Sequence, residues 1–264
     1  MSLRNIRGLI IDLDGCVYVG KNPIEGAAEA LEKIRRMGYK LLFLTNNSTL
    51  TRDMYVEKLE KMGIRISREE ILTSGVIAAR YIAREKPRAR VFPITEVGFI
   101  EEAREIGVEI LDEEQPLEVD YVVVGLDRKL TYRKLAAAVK AINKGAKFLC
   151  TNLDHILPSE DGFEPGAGAI AAAIERATGI KPISVGKPSE VANMEAFSAL
   201  GLSNKDVAFV GDRLDTDIKS AKLAGSIGIM VKTGAARLFN PSEAEDKPDY
   251  IIDSIAHLPE LLGG

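Results

Sequence analysis

Short, nearly unbroken apolar runs recur along this chain, and each sits beside a helical stretch. Gly8-Leu9-Ile10-Ile11, Leu41-Leu42-Phe43-Leu44, Val207-Ala208-Phe209-Val210, Ile227-Gly228-Ile229-Met230-Val231 and Tyr250-Ile251-Ile252 are strand candidates. Strands apolar at every position suit a parallel sheet covered by helices on both faces. Between the first two, Ala27, Ala30, Leu31 and Ile34 follow helical spacing, and Gly38 supplies a stop. The expectation is an α/β fold with a doubly wound parallel sheet. The middle repeats the pattern with Val91-Phe92, Tyr121 to Val124 and Phe148 to Cys150. A helix marked by Leu135, Ala138, Val139 and Ile142 lies between the last two. This stretch reads as a second, smaller α/β unit.

The chain has 264 residues, 46% hydrophobic and 28% charged, enough apolar material for a substantial core. A formal net charge of -4 argues against a nucleic-acid partner. Cys16 and Cys150 are the only cysteines and form neither a disulfide framework nor a zinc pattern. The first residues lack a signal-peptide core and no apolar run has the length of a membrane span, so a cytoplasmic protein without a membrane partner is expected.

Chemistry collects just past four strand ends, where open parallel sheets bind ligands. After Ile11 comes Asp12-Leu13-Asp14-Gly15. Residues two apart in an extended segment point the same way, so two carboxylates would crowd unless a cation or a proton relieves them. One could act as a nucleophile and the other as a proton donor. The same letters open a calcium loop, but Val17, Tyr18 and Val19 stand where further oxygen ligands belong. After Leu44 comes Thr45-Asn46-Asn47-Ser48, which reads either as a phosphate-holding turn or as a helix N-cap cluster. After Ile183-Ser184-Val185 comes Gly186-Lys187-Pro188, with a lysine able to neutralise phosphate and Pro188 suited to the first position of a helix. After Val210 comes Gly211-Asp212-Arg213-Leu214-Asp215-Thr216-Asp217, three acids on one loop fit for a hard cation such as Mg²⁺.

In order and type these four segments resemble the four motifs of the haloacid dehalogenase superfamily of phosphohydrolases, over the whole chain. The nearest likeness is to the NagD and p-nitrophenyl-phosphatase branch, whose large α/β cap is inserted between the second and third motifs. Thr151-Asn152-Leu153-Asp154, Pro158 and Glu164-Pro165-Gly166-Ala167-Gly168 are similar to that branch's cap signature. The resemblance implies a catalytic core of residues 1–80 and 182–264 and a substrate-selecting cap of 81–181.

It also implies roles. Asp12 would be nucleophile and Mg²⁺ ligand. Asp14 would be general acid and then base, with its backbone carbonyl on the metal. Thr45 and the Asn46 N–H would bind the transferring phosphoryl, and Lys187 would neutralise charge beside Asp12. Asp212 and Asp217 would complete the metal site, and Asn152 and Asp154 would face substrate. Cys16 stands where the wider superfamily commonly has Thr. Dehalogenases of the superfamily lack an acid at the position of Asp14, because a halide leaves without a proton. Asp14 therefore points to phosphate esters.

The expected function is Mg²⁺-dependent hydrolysis of small phosphorylated metabolites through an aspartyl-phosphate, with a homodimer through the cap implied by family likeness. The alternative from another class is a receiver-type regulatory module, which also holds an aspartyl-phosphate on a doubly wound sheet. Gly166-Ala167-Gly168-Ala169-Ile170-Ala171 mimics a dinucleotide fingerprint, but it follows Glu164-Pro165 rather than a strand, so a hinge or close backbone packing at the cap–core junction is expected there. His155 and His257 lack second ligands at metal spacing, and the charge run Arg84 to Arg90 reads as a solvated face.

Overall fold

The apolar runs pair as parallel strands in a computed structural model that describes residues 3–111, 118–159, 162–238 and 245–263. The chain divides into two units. One comprises the residues through Thr45, Asp53–Leu72 and those from Lys187 onward; the other comprises Asn46–Arg52 and Thr73–Gly186.

The first unit carries a sheet ordered Tyr250–Ile252, Ile227–Val231, Val207–Gly211, Gly8–Ile11, Lys40–Thr45, Ile71–Thr73. Every pairing from Tyr250–Ile252 across to Lys40–Thr45 is parallel, with Ile11 beside Val210 on one side and Phe43 on the other. The chain builds outward from Gly8–Ile11 in one direction, then returns to build outward from Val207–Gly211 in the other. The order therefore reverses between these two strands, which is the switch point where doubly wound sheets place their ligands. All four residues of Gly8–Ile11 and all five of Val207–Gly211 are buried. Helix Ala27–Arg36 turns Ala27, Ala30, Leu31 and Ile34 inward at the expected spacing.

The second unit has its own parallel sheet, ordered Ile183–Ser184, Lys147–Cys150, Tyr121–Val124, Arg90–Ile94, Glu109–Ile110. Helices Tyr132–Asn143 and Ala167–Thr178 pack on it around Val122, Val124, Ala138, Ile142, Phe148 and Ile170. This unit runs beyond the 81–181 span at both ends. Helix Ser74–Glu85 joins it by packing on helix Val97–Ile106, with Gly75 against the Phe99 backbone. Segment 46–52 joins it because Gly98 N and Phe99 N donate to the Thr49 and Ser48 carbonyls, 3.1 Å each. Arg52 is also ion-paired at 2.6 Å with the buried Glu102. These contacts are long-range, so no composition shift in the sequence marks them.

Three local expectations change. Pro188 is not the first residue of the next helix. Ser189 is the N-cap, its hydroxyl accepting from Ala192 N, and Glu190 opens the helix Glu190–Leu200. Segment 45–48 is not a helix N-cap either: Asn47 Oδ1 accepts from Thr49 N and Oγ1, and the helix starts at Arg52. Glu164-Pro165 does belong to a strand, Gly162–Pro165, paired antiparallel with Ile156–Ser159. The fingerprint reading still fails, because Gly166 N and Gly168 N donate to the His155 and Asp154 carbonyls at 2.9 Å and are not free to hold a phosphate.

Among the described residues no helix is long and apolar enough to cross a membrane. His155 and His257 are exposed, and Lys86 of the charge run pairs with Asp120 at 2.6 Å. Replacing Ile10, 1% exposed at the centre of the first sheet, by Ala should cost about 2–5 kcal/mol in chemical denaturation, through lost burial and the cavity left behind.

Candidate active site

At the switch point the backbone runs on from strand Gly8–Ile11 with Asp12 N donating to the Val210 carbonyl at 2.8 Å. This sets Asp12 beside the end of Val207–Gly211, immediately before Asp212. Lys187 completes the group from a different direction. Its preceding strand, Ile183–Ser184, pairs with the second sheet, so the lysine does not sit on the rim of the first as a strand end. Its ammonium donates to Asp12 Oδ1 and to Asp217 Oδ1, both at 2.6 Å.

Asp12, Asp212 and Asp217 are all buried, and one carboxylate oxygen of each lies within 4.8 Å of the others. Three carboxylates against one ammonium leave a formal excess of two negative charges out of water. Asp12 is pushed well above the usual carboxylate range, first by lost hydration, then by Asp217 and Asp212, against the pull of Lys187. Asp212 is raised to about 7, by lost hydration and by Asp217. Its Oδ1 is buried with no hydrogen-bond partner among the described residues. Lys187 is raised further, because Asp12 and Asp217 outweigh its own loss of hydration.

An all-oxygen donor set, a charge excess of two and an orphaned carboxylate oxygen fit a hard divalent cation such as Mg²⁺. The third acid of the loop does not join them. Asp215 turns outward and pairs with Arg213 at 2.7 Å. Asp217 reaches inward because Leu214–Ile218 forms a turn of π-helix, a widened turn common at functional sites.

Asp212 is held by parts of the sequence that its own loop does not reveal. Ala235 N donates to its Oδ2 at 2.5 Å, and Thr233 Oγ1 donates to the Gly15 carbonyl at 2.6 Å. A Cβ on either Gly15 or Gly234 would stand 2.2 Å from that Oδ2, and both glycines have positive φ, 90° and 59°. Only glycine lets the two backbones close on the carboxylate. The signal for this clamp was available: Lys232-Thr233-Gly234 follows the apolar run Ile227–Val231 as the other polar clusters follow theirs.

Asp14 stands apart from the buried cluster. Its side chain is exposed, and its Oδ2 accepts a hydrogen bond from the Tyr18 hydroxyl at 2.9 Å. Its pKa is raised, first by lost hydration, against Lys58, the Tyr18 hydrogen bond and Lys187. Thr45 is buried at the end of strand Lys40–Thr45, next to Gly8–Ile11 in the sheet. Asn46, Asn152 and Asp154 come together in the second unit. Asn152 Nδ2 donates to the Asn46 carbonyl at 2.7 Å, and Asn46 Nδ2 donates to Asp154 Oδ2 at 3.1 Å. Ser74 Oγ also donates to the Asn46 carbonyl, at 2.5 Å, so the residue after Thr45 is anchored from two segments.

Two predictions follow from this electrostatic arrangement. An acid whose folded pKa exceeds its unfolded value favours folding below the unfolded value and loses that contribution as pH rises through the folded one. For Asp212 the window runs from its ordinary 3.8 to about 7. In EDTA the thermal midpoint should therefore fall across that window, and added Mg²⁺ should raise it more at the upper end than at the lower. An increment independent of pH would contradict the cation site. Gly234→Ala should displace the Asp212 carboxylate and weaken Mg²⁺ binding by about tenfold or more in calorimetry.

Residues 9–109 match the haloacid dehalogenase-like hydrolase family and residues 184–258 match the HAD-hydrolase-like family. The acid sugar phosphatase of Staphylococcus haemolyticus is 40% identical over 248 residues, covering 94% of this chain and 93% of that protein. Among solved structures, the p-nitrophenyl phosphatase of Archaeoglobus fulgidus superposes with a TM-score of 0.91 at 39% identity, covering 97% of this chain and 99% of that one. The glycerol phosphate phosphatase of Mycobacterium tuberculosis, in complex with magnesium, gives 0.88 at 33% identity, covering 98% and 79%. Similarity of this depth, over nearly the full length and both units, means that the chain belongs to the haloacid dehalogenase-like hydrolases, among their NagD-like phosphatases.

Proposed function

We propose that this phosphatase hydrolyses small phosphorylated metabolites in a Mg²⁺-dependent reaction through an aspartyl-phosphate on Asp12. The observation that carries the reading is the Asp12–Lys187–Asp217 contact beside the orphaned oxygen of Asp212. Asp12 Oδ1 is bound by Lys187, while Oδ2 accepts no hydrogen bond among the described residues and is left to attack phosphorus. The side chains of Asp12 and Asp212 and the backbone carbonyl of Asp14 would hold Mg²⁺, with Asp217 supporting them through Lys187. The bound cation supplies charge neutralisation for the nucleophile and the phosphoryl oxygens.

In the first step an Asp12 Oδ2–phosphorus bond forms and the ester P–O bond breaks. Asp14 gives its proton to the departing alkoxide. In the second, Asp14 takes a proton from water, the water oxygen bonds phosphorus, and Asp12 leaves as a carboxylate. Lys187 draws Asp12 toward its ionised form against the burial that raises its pKa, and faces the growing negative charge. Thr45, with the Asn46 N–H that follows it, holds phosphoryl oxygens, and Asn152 and Asp154 fix Asn46 in place. The second unit is assigned to substrate selection. The names of its relatives, an acid sugar phosphatase and a glycerol phosphate phosphatase, make small polyol and sugar phosphates the first substrates to try.

Phosphate release from p-nitrophenyl phosphate and from a panel of sugar and polyol phosphates tests the reading. Repeated turnover should vanish in EDTA and return with Mg²⁺. Asp12→Asn should reduce turnover to background with the thermal midpoint retained; substantial activity in that variant would refute the nucleophile. Asp14→Asn should slow alkyl esters by about 100-fold and aryl esters less, because a phenolate needs little proton help. Equal losses on both would refute the general acid.

A further inference from the structure

Asp14 and Asp12 are two residues apart yet are held by opposite chemistry. Asp12 is held by an ammonium, which favours the ionised form alone. Asp14 is held by a neutral hydroxyl, which donates to Oδ2 whether or not Oδ1 carries a proton. A group that must give a proton and then take one needs a support that tolerates both states.

The support itself is rigid. Tyr18 is 0% exposed and starts a short hairpin, Tyr18–Val19 with Asn22–Pro23. Its backbone closes on Asp14's own turn: Gly15 N donates to the Tyr18 carbonyl at 2.7 Å, and Tyr18 N donates to the Leu13 carbonyl at 3.3 Å. The Lys58 ammonium, on helix Arg52–Glu60, lies 3.7 Å from the centre of the Tyr18 ring and 6.0 Å from that of the buried Tyr55. A cation over the ring face adds an electrostatic attraction to the packing that holds the phenol. Burial and the neighbouring acids push the Tyr18 phenol up, so it remains a donor throughout the working range of pH. Asp14 has no other hydrogen-bond partner among the described residues, so without Tyr18 an exposed carboxylate would be free to rotate.

We propose that Tyr18, braced by Lys58 on its ring, is the positioning residue for Asp14. Its hydroxyl holds Oδ2 in both protonation states and leaves Oδ1 to exchange the proton with the leaving oxygen and then with water. The proposal rests on the reading of Asp14 as general acid.

Tyr18→Phe removes the hydroxyl and keeps the ring. It should lower kcat on glycerol phosphate about tenfold, a fraction of what a general acid contributes, with KM within about twofold. The loss on p-nitrophenyl phosphate should be smaller, the same leaving-group signature as Asp14→Asn. In the Asp14→Asn background Tyr18→Phe should add nothing further. Lys58→Met should reproduce part of the defect with that signature and Lys58→Arg should restore it; this pair decides the matter if Tyr18→Phe does not fold, as judged by its thermal midpoint. Equal losses on both esters, or none, in a folded Tyr18→Phe whose Asp14→Asn counterpart shows the signature would overturn the positioning role alone. Absence of the signature in Asp14→Asn itself would overturn the general-acid reading and this proposal with it.

Discussion

One ammonium among three buried carboxylates is the constraint on which the rest of the first unit depends. Lys187 reaches Asp12 and Asp217 at 2.6 Å each, and the group is still short of positive charge. Burying an unbalanced cluster of this kind opposes folding, and a chain selected for stability alone would fill the place with apolar side chains. The sheet tolerates it because the strands beneath are apolar at every position, and because the switch point is the place where two strand ends open without a helix between them. The cost is then relieved by whatever positive charge the site binds, which links cation affinity to stability.

The surrounding backbone is shaped to that cluster. Gly15 and Gly234 close on Asp212 so tightly that no side chain fits at either position, and among the described residues the Ala235 N–H supplies the one hydrogen bond its Oδ2 receives. Gly211 makes equivalent room for Asp217, whose Cγ would lie 2.2 Å from an added Cβ. The widened turn at Leu214–Ile218 then sends Asp217 inward and Asp215 outward from the same short loop. Local backbone geometry, more than side-chain identity, decides which acid of this loop meets Lys187.

What the sequence discloses follows from how local each determinant is. Strand runs such as Gly8–Ile11 and Val207–Gly211, and the helix of Ala27, Ala30, Leu31 and Ile34, are read directly, since burial on both faces or on one leaves its period in the residues. Asp12, Lys187, Asp212 and Asp217 were legible as chemistry, and their convergence followed from the crevice rule. The rule misjudged Lys187, whose preceding strand belongs to the other sheet. Asp215 looked equivalent to Asp217 because a π-turn leaves no mark in composition. Segment 46–52 and helix Ser74–Glu85 looked like the first unit because only long-range contacts, Gly98 and Phe99 on one side and Val97–Ile106 on the other, assign them to the second. In the sequence Tyr18 argues only against a calcium loop, since a hydrogen bond across four residues needs the turn geometry to be seen.

The Asp-x-Asp spacing thus carries two different electrostatic environments within a single turn. Leu13, with no exposed surface, lies between the two acids and faces the core, so the carboxylates on either side of it are delivered to separate surroundings. Asp12 meets a fixed positive charge that draws it toward the ionised form, against the burial and the neighbouring acids that push its pKa well up. Asp14 meets a neutral hydroxyl, and its pKa is raised by lost hydration against the pull of Lys58 and the Tyr18 hydrogen bond. A second lysine in place of Tyr18 would favour the ionised form; an apolar residue would favour the protonated form but leave the carboxyl unheld. A phenol beneath a half-buried ammonium holds the carboxyl with a weaker pull toward the ionised form than a contacting cation exerts, and the difference between two identical side chains follows from what each one touches.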